Sequence, residues 1–319
     1  MTLTQLKYIL AVDHHRHFGK AAEACHVAQP SLSTQIQKLE DDLGVRIFER
    51  DKNTCVPTEV GKELIKQARL ILDESARMED IVASYSKEVK GTLKLGIIPT
   101  IAPFLLPSLI PAVQKKYPEL KLEIFEQKTA DLVSLIEGGE IDAAILSTPK
   151  TAPATLKEKV LYYEPFVLFA AKTHPLRKVS NVTVDDLEHY APFLLDDTHC
   201  LRDQVEKLCQ IEQESDGPLH IKAGSLHTLV EVVSSSGGYT LLPSLAQDFF
   251  KKTYPDSFRE MSEPKPSRKV SLVFHRSFLK RSLIEAVTGL IVENLPAKAI
   301  PVERKGQTKV IDPDKGRFT

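Results

Sequence analysis

Two thiols, Cys200 and Cys209, stand nine positions apart, the first within His199-Cys200-Leu201-Arg202-Asp203. The chain has four cysteines in all, so this pair is not a by-product of a cysteine-rich composition. On one helix, nine residues separate the two by roughly 13.5 Å along the axis and about half a turn around it. A disulfide needs Cα atoms within about 7 Å. The pair is therefore either bridged or part of one regular helix. A segment that adopts each arrangement at different times is a redox switch.

The thiolate, not the thiol, is the nucleophile. A helix starting here and capped by Asp197 or Thr198 would put Cys200 in its first turn, near the positive end of the dipole. His199 and Arg202 add donors or positive charge, while Asp196, Asp197 and Asp203 act the other way. Other readings remain open. A buried cysteine is often a small apolar core residue. A zinc site from His199, Cys200, Cys209 and His220 lacks the compact ligand spacing of such sites. Cys25 and Cys55 lie in or beside apolar segments and read as structural thiols. No metal and no cofactor is expected.

The remaining composition bounds the setting. The 319 residues, 42% hydrophobic and 27% charged with a net charge of -1, allow two or three folding units. No eighteen-residue apolar run exists and the first residues lack secretory organisation, so a cytoplasmic protein is expected, with no membrane partner. Cytosolic disulfides are usually transient or sensory. Residues 1–66 carry nine Lys/Arg and nine Asp/Glu, so nucleic-acid binding cannot rest on bulk charge.

The elements follow from periodicity. Leu3, Leu6, Ile9, Leu10 and Phe18 suit a first helix, Gly19–Cys25 a compact second one, and Gln29-Pro30-Ser31-Leu32-Ser33 opens a longer third. Leu32, Ile36, Leu39 and Leu43 form its inward stripe. Ser31, Ser33, Thr34, Gln35 and Lys38 face outward, either as a solvated face or as the reading surface of a helix-turn-helix. Two short strands around Asp51–Thr54 would form a wing, with Arg50 and Lys52 available to phosphates. Leu64, Ala68, Ile71, Ser75, Met78, Val82 and Tyr85 repeat at heptad spacing, which suits an intermolecular coiled coil. Beyond Gly91, strands at 92–98, 121–125, 141–146 and 166–170 alternate with helices at 105–117 and 129–137. That pattern predicts α/β layers with a mostly parallel sheet, and Thr100 and Thr129 at the strand ends where ligands bind.

Ala21-Ala22, Val27-Ala28-Gln29-Pro30-Ser31-Leu32-Ser33, Ile36-Gln37-Lys38-Leu39-Glu40, Leu43-Gly44-Val45, Phe48-Glu49-Arg50 and Thr58-Glu59-Val60-Gly61 resemble the signature of LysR-type transcriptional regulators. The resemblance implies a winged helix-turn-helix over 1–58 that binds double-stranded DNA through Gln29, Pro30, Ser31, Ser33, Thr34, Gln35, Lys38, Arg50 and Lys52. It implies a dimerisation helix over 59–90. Residues 91–300 would form a two-lobed α/β regulatory domain like a periplasmic binding protein. Lobe I would take about 91–164 and 268–300, and lobe II about 165–267, with Gly237-Gly238-Tyr239-Thr240-Leu241-Leu242-Pro243 as its glycine turn and strand. Residues 301–319 read as a disordered tail.

Within that family, Leu194–Gln204 followed by Cys209 is similar to the members that sense hydrogen peroxide. In these the counterparts of Thr100, Thr129, His199 and Asp203 hold or activate peroxide, and Arg276 aligns through a poorer segment. Thr198 stands where glycine is expected. The resemblance implies a non-enzymatic regulator in which Cys200 becomes a sulfenic acid and Cys209 closes a disulfide, melting the helix. Its implied partners are further copies of the chain as a dimer of dimers, RNA polymerase, and a thiol reductant such as glutaredoxin or thioredoxin. Two other classes stay open: a regulator responding to a metabolite in the inter-lobe cleft, and a thiol peroxidase.

Overall fold

The computed structural model describes residues 1–50, 55–85, 89–147, 153–209, 222–276 and 281–302, and divides into two compact units, Met1–Lys87 and Glu88–Thr319. Lys52, His220 and the tail from 303 onward lie outside the described residues, as does the side chain of Arg50. No helix among the described residues is long and apolar enough to cross a membrane.

The first unit runs α1 (Leu3–His15), α2 (Phe18–Ala24), α3 (Gln29–Leu43), β1 (Phe48–Arg50), β2 (Cys55–Pro57) and α4 (Glu59–Tyr85). Thr2 starts α1 through a reciprocal capping box with Gln5. Leu32, Ile36 and Leu39 of α3 are buried with Leu6, Ile9 and Val12 of α1. Leu43, placed by its spacing on the same stripe, is exposed instead, because Gly44 takes a left-handed conformation and ends the helix there. Glu40 is buried, and its Oε1 accepts the amides of Ile47 at 2.8 Å and Phe48 at 3.2 Å, fastening α3 to the wing. A Cβ on Gly61 would fall 2.0 Å from the Ile47 carbonyl oxygen, so only glycine lets α4 begin this close to β1.

The heptad seam of α4 does not behave as one surface. Leu64, Ala68 and Ile71 pack into the head's own core with Ile65 and Leu72, whereas Met78 is 71% exposed. An amphipathic stripe looks the same in sequence whether its partner is its own domain or another chain. Within one chain, the first half of the stripe thus contributes to the head's own core.

The second unit begins with β3 (Gly91–Ile97), α5 (Ala102–Lys116), β4 (Leu120–Glu126), α6 (Thr129–Glu137), β5 (Ala143–Ser147) and the fifteen-residue β6 (Leu156–Ala170). There follow β7 (Asn181–Val182), α7 (Val184–Leu187), β8 (Leu194–Leu195), α8 (Cys200–Leu208), β9 (Lys222–Ala223) and α9 (Leu226–Ser236). The last elements are β10 (Tyr239–Pro243), α10 (Ser244–Phe250), β11 (Phe258–Met261), β12 (Ser267–His275), α11 (Arg281–Glu293) and β13 (Ile300–Pro301).

The main sheet has the order β4-β3-β5-β12-β6-β11-β7, with β10 and β13 also on β6. It is mixed rather than mostly parallel. β3 lies parallel to β4 and β5, but β12 is antiparallel to β5 and β6, and β10 and β11 are antiparallel to β6. The sequence conceals this because Lys157, Glu158 and Lys159 break the apolar run that marks a buried strand. In the fold Glu158 pairs with Lys269 and accepts a hydrogen bond from Ser271, both on β12. β6 serves two cores. Leu156, Leu161 and Tyr162 belong to the lobe built on β3, β4 and β5, and Phe166–Ala170 to the lobe containing α8, α9 and β10.

Candidate redox site

Helix α8 carries the first thiol at its first residue and the second at its carboxyl cap. Leu201, Val205, Leu208 and Cys209 face the core of lobe II, a spacing of four, three and one that follows the helical turn. Cys200 instead packs against the core of lobe I. The same helix therefore offers its two sulfurs to two different cores. Both thiols are free.

His199 is the N-cap, with an extended backbone and no capping side-chain bond. The expected cap from Asp197 or Thr198 does not form, because Thr198 turns to Asp196. Its amide donates to Asp196 Oδ1 at 2.9 Å and its hydroxyl donates to the same oxygen. That hydroxyl holds the Asp196 carboxyl below its usual range, with smaller help from the Thr198 amide, His199 and Lys128. The His199 ring is buried, with Nε2 3.8 Å from Asp196 Oδ2, and Nε2 has no hydrogen-bond partner among the described residues.

The strongest polar feature beside Cys200 was not among the residues selected from sequence. Arg268, wholly buried at the start of β12, donates from Nε and Nη2 to Glu164 Oε2 at 2.9 and 2.8 Å. Nη1 donates to Thr100 Oγ1 at 2.9 Å and Nη2 to the Thr100 carbonyl at 3.0 Å. The other Glu164 oxygen accepts the Leu245 amide. Arg276, the arginine expected here, is exposed with its amide on the Thr155 carbonyl. It stands eight residues past Arg268, about 26 Å along an extended strand. The missed signal was a lone carboxylate in the apolar run Tyr162-Tyr163-Glu164-Pro165-Phe166, since a buried acid demands a buried partner.

Burial pushes the Cys200 thiol above its ordinary value. The Arg268 guanidinium and a hydrogen bond with the Thr129 hydroxyl pull it down, and Asp203 pushes it up. Desolvation wins over the favourable charges. Thr100 is buried, Thr129 is half-buried at the first residue of α6, and Asp203 is exposed one helical turn from Cys200. Arg202 donates to Glu206 Oε1 at 2.7 Å and to the Leu195 carbonyl, so its charge is engaged along α8. Gln204, also overlooked in the sequence, is buried and donates from Nε2 to Ser147 Oγ at 2.7 Å, joining α8 to the end of β5. No cluster of three or more metal-ligating side chains occurs among the described residues.

Cys209 is buried and pushed up to about 11 by desolvation, against a smaller lowering by the Tyr239 hydroxyl 3.8 Å from its sulfur.

In the first unit, Gln29, Pro30, Ser31, Thr34, Gln35 and Lys38 are exposed on α3 and Ser33 is half-buried. Thr34 donates its hydroxyl to the Pro30 carbonyl at 2.8 Å, leaving its oxygen as an acceptor. The buried Gln5 donates to the backbone and side-chain oxygens of Gln35, both at 3.3 Å, which fixes that outward side chain from behind.

Two family models match the chain: a bacterial regulatory helix-turn-helix protein of the lysR family over residues 3–62, and a LysR substrate binding domain over 86–296. The hydrogen peroxide-inducible genes activator of Dickeya chrysanthemi is 35% identical over 92% of this chain and 96% of its own length. The DNA-binding transcriptional dual regulator OxyR of Escherichia coli K12 is 36% identical over 91% and 95%. Among solved structures, a full-length Pseudomonas aeruginosa OxyR with a cysteine-to-aspartate change aligns at a TM-score of 0.77 and 35% identity, covering 94% of this chain and 96% of that one. A hydrogen-peroxide-bound cysteine-to-serine mutant of Corynebacterium glutamicum OxyR aligns at 0.62 and 31% identity, covering 92% of each. By these matches the chain belongs to the LysR family of helix-turn-helix regulators, within its OxyR group.

Proposed function

We propose that this chain is a DNA-binding transcriptional regulator that senses hydrogen peroxide through Cys200 and Cys209. The observation that carries the reading is the placement of two free thiols at opposite ends of α8, each in a different core. Peroxide enters beside Cys200, where the Thr100 and Thr129 hydroxyls, His199 Nε2 and the Arg268 guanidinium supply hydrogen bonds. The Cys200 thiolate attacks one peroxide oxygen, the O–O bond breaks, and hydroxide leaves as Cys200 becomes a sulfenic acid. Cys209 loses its proton and attacks that sulfur, forming the disulfide and expelling water.

A nine-residue helical separation of roughly 13.5 Å cannot meet the disulfide limit of about 7 Å, so α8 must unwind. Unwinding removes the Gln204–Ser147 link and repacks both lobe surfaces. Copies of the chain, joined as dimers or dimers of dimers in part through α4, then present their α3 helices at altered spacing on double-stranded DNA. Altered contact with RNA polymerase gives the transcriptional output. A cytoplasmic dithiol such as glutaredoxin or thioredoxin returns two electrons and resets the switch. One disulfide per reset makes this signalling rather than catalysis.

Footprinting of reduced and peroxide-treated protein tests the reading. The wild type is expected to change its footprint on oxidation, while Cys200→Ser binds DNA without any peroxide-dependent change. A footprint that still shifts in Cys200→Ser removes Cys200 as the sensor.

A further inference from the structure

The Cys209 pocket contains a polar handle that the disulfide cycle leaves unexplained. Tyr239 is wholly buried at the start of β10, and its hydroxyl lies 3.8 Å from Cys209 Sγ. The same oxygen is 2.9 Å from the Tyr190 carbonyl and 3.2 Å from the Leu187 carbonyl. The ring is fixed from several sides. His174 packs against it with centroids 5.1 Å apart and meets the Tyr190 edge at 4.9 Å. Behind it, Gly237 takes φ +77° and a Cβ on Gly238 would fall 2.2 Å from the Phe193 ring, so the turn admits Tyr239 in one place only. A phenol has one proton to give and lone pairs to accept with. Anchored on backbone carbonyls, the hydroxyl can still take the thiol proton of Cys209 as a hydrogen bond, or offer its own to the sulfur.

We propose that Tyr239 is a positioning residue for the second thiol: its hydroxyl holds Cys209 in lobe II and sets how fast Cys209 is released to the oxidised Cys200. The inference rests on the disulfide cycle above and adds the element that governs its second step. Cys200 lies against the other core with Thr129 and Arg268, out of contact with Tyr239, so the first step is untouched. In the second step the Cys209 S–H bond breaks and its sulfur displaces hydroxide from the Cys200 sulfenic sulfur. The released proton and hydroxide leave as water, and Tyr239 gives up only a hydrogen-bond partner.

Tyr239→Phe keeps the ring and removes the hydroxyl. In full-length reduced protein mixed with peroxide, sulfenic acid at Cys200 is measured by dimedone trapping in a Cys209→Ser background. Disulfide formation is measured by acid quench and non-reducing mass analysis. Loss of one hydrogen bond predicts disulfide closure roughly three- to tenfold faster in Tyr239→Phe, with an unchanged dimedone rate. Alkylation of Cys209 in a Cys200→Ser background is expected to accelerate alike. Thr240→Val supplies the control, because it removes the neighbouring bond from β10 to the Phe193 carbonyl without touching Cys209. Equal acceleration in both variants means general loosening of lobe II and overturns the proposal, as does closure in Tyr239→Phe that is unchanged or slower. Absence of any disulfide in the wild type overturns the cycle itself, and is read separately from the variants.

Discussion

The two ends of α8 use different physics to hold the same functional group. At the amino end, Cys200 meets a hydroxyl from Thr129 and the field of a buried guanidinium whose own charge is neutralised by Glu164. At the carboxyl end, Cys209 packs with Leu208, Val205 and a phenol, and among the described residues no charged group shifts its thiol. Both thiols are pushed up by burial, the first against the Arg268 guanidinium and the Thr129 hydroxyl, the second against the Tyr239 hydroxyl alone among the described residues. Under the proposed cycle, that difference suits Cys200 to react first and Cys209 to wait.

Breaking the charged end should cost most. Glu164→Gln leaves Arg268 buried without its counter-charge, and urea unfolding is expected to report a loss of about 3–5 kcal/mol. A loss below about 1 kcal/mol would mean that the guanidinium is not held by that pair, and the contrast between the two ends would collapse. The apolar end yields a pH signature. Because the Cys209 pKa is raised in the folded state to about 11, its contribution is present at neutral pH and lost as pH climbs from about 9 to 11. The extra alkaline destabilisation of wild type relative to Cys209→Ala should reach about 2–3 kcal/mol. Superimposable stability curves for the two proteins would show that the thiol titrates as it does when unfolded.

Between the ends lies Gln204. Gln204→Ala removes the bond to Ser147 and is expected to destabilise by about 1–3 kcal/mol in the reduced protein, with a smaller effect in the oxidised one. Equal losses in both states would mean that the link survives oxidation. The smallest effect belongs to Thr198→Gly, whose stability change should stay within about 1 kcal/mol. NMR titration should find the Asp196 pKa climbing back toward the usual carboxylate range, because the Thr198 hydroxyl is the main cause of its lowering. An unmoved Asp196 would assign that lowering to the residue-198 amide, His199 and Lys128.

What the sequence displayed was local. α6 starts at Thr129 and ends at Glu137, as its periodicity predicts, and the distance conflict between Cys200 and Cys209 followed from helical rise alone. What it concealed was long-range. Arg268 reaches its carboxylate across 104 residues, and Gln204 reaches Ser147 across 57. Nothing in a local window distinguishes a buried, paired arginine from a surface one such as Arg276. Gln5 was invisible for the same reason, since its value lies in Gln35, thirty positions away. The stripe on α4 shows a further limit: spacing identifies a face but not what covers it.

One strand sets the mechanical terms for all of this. β6 runs unbroken through both lobes, paired with β12 as far as Pro165 and with β10 from Phe166 onward. Two bodies joined by a shared, laddered beam resist swinging apart as halves on a slack tether would, because rotation must bend the beam itself. A chemical event in α8 therefore has little slack to absorb it between the lobes. Its displacement is pushed outward to the surface of the lobes.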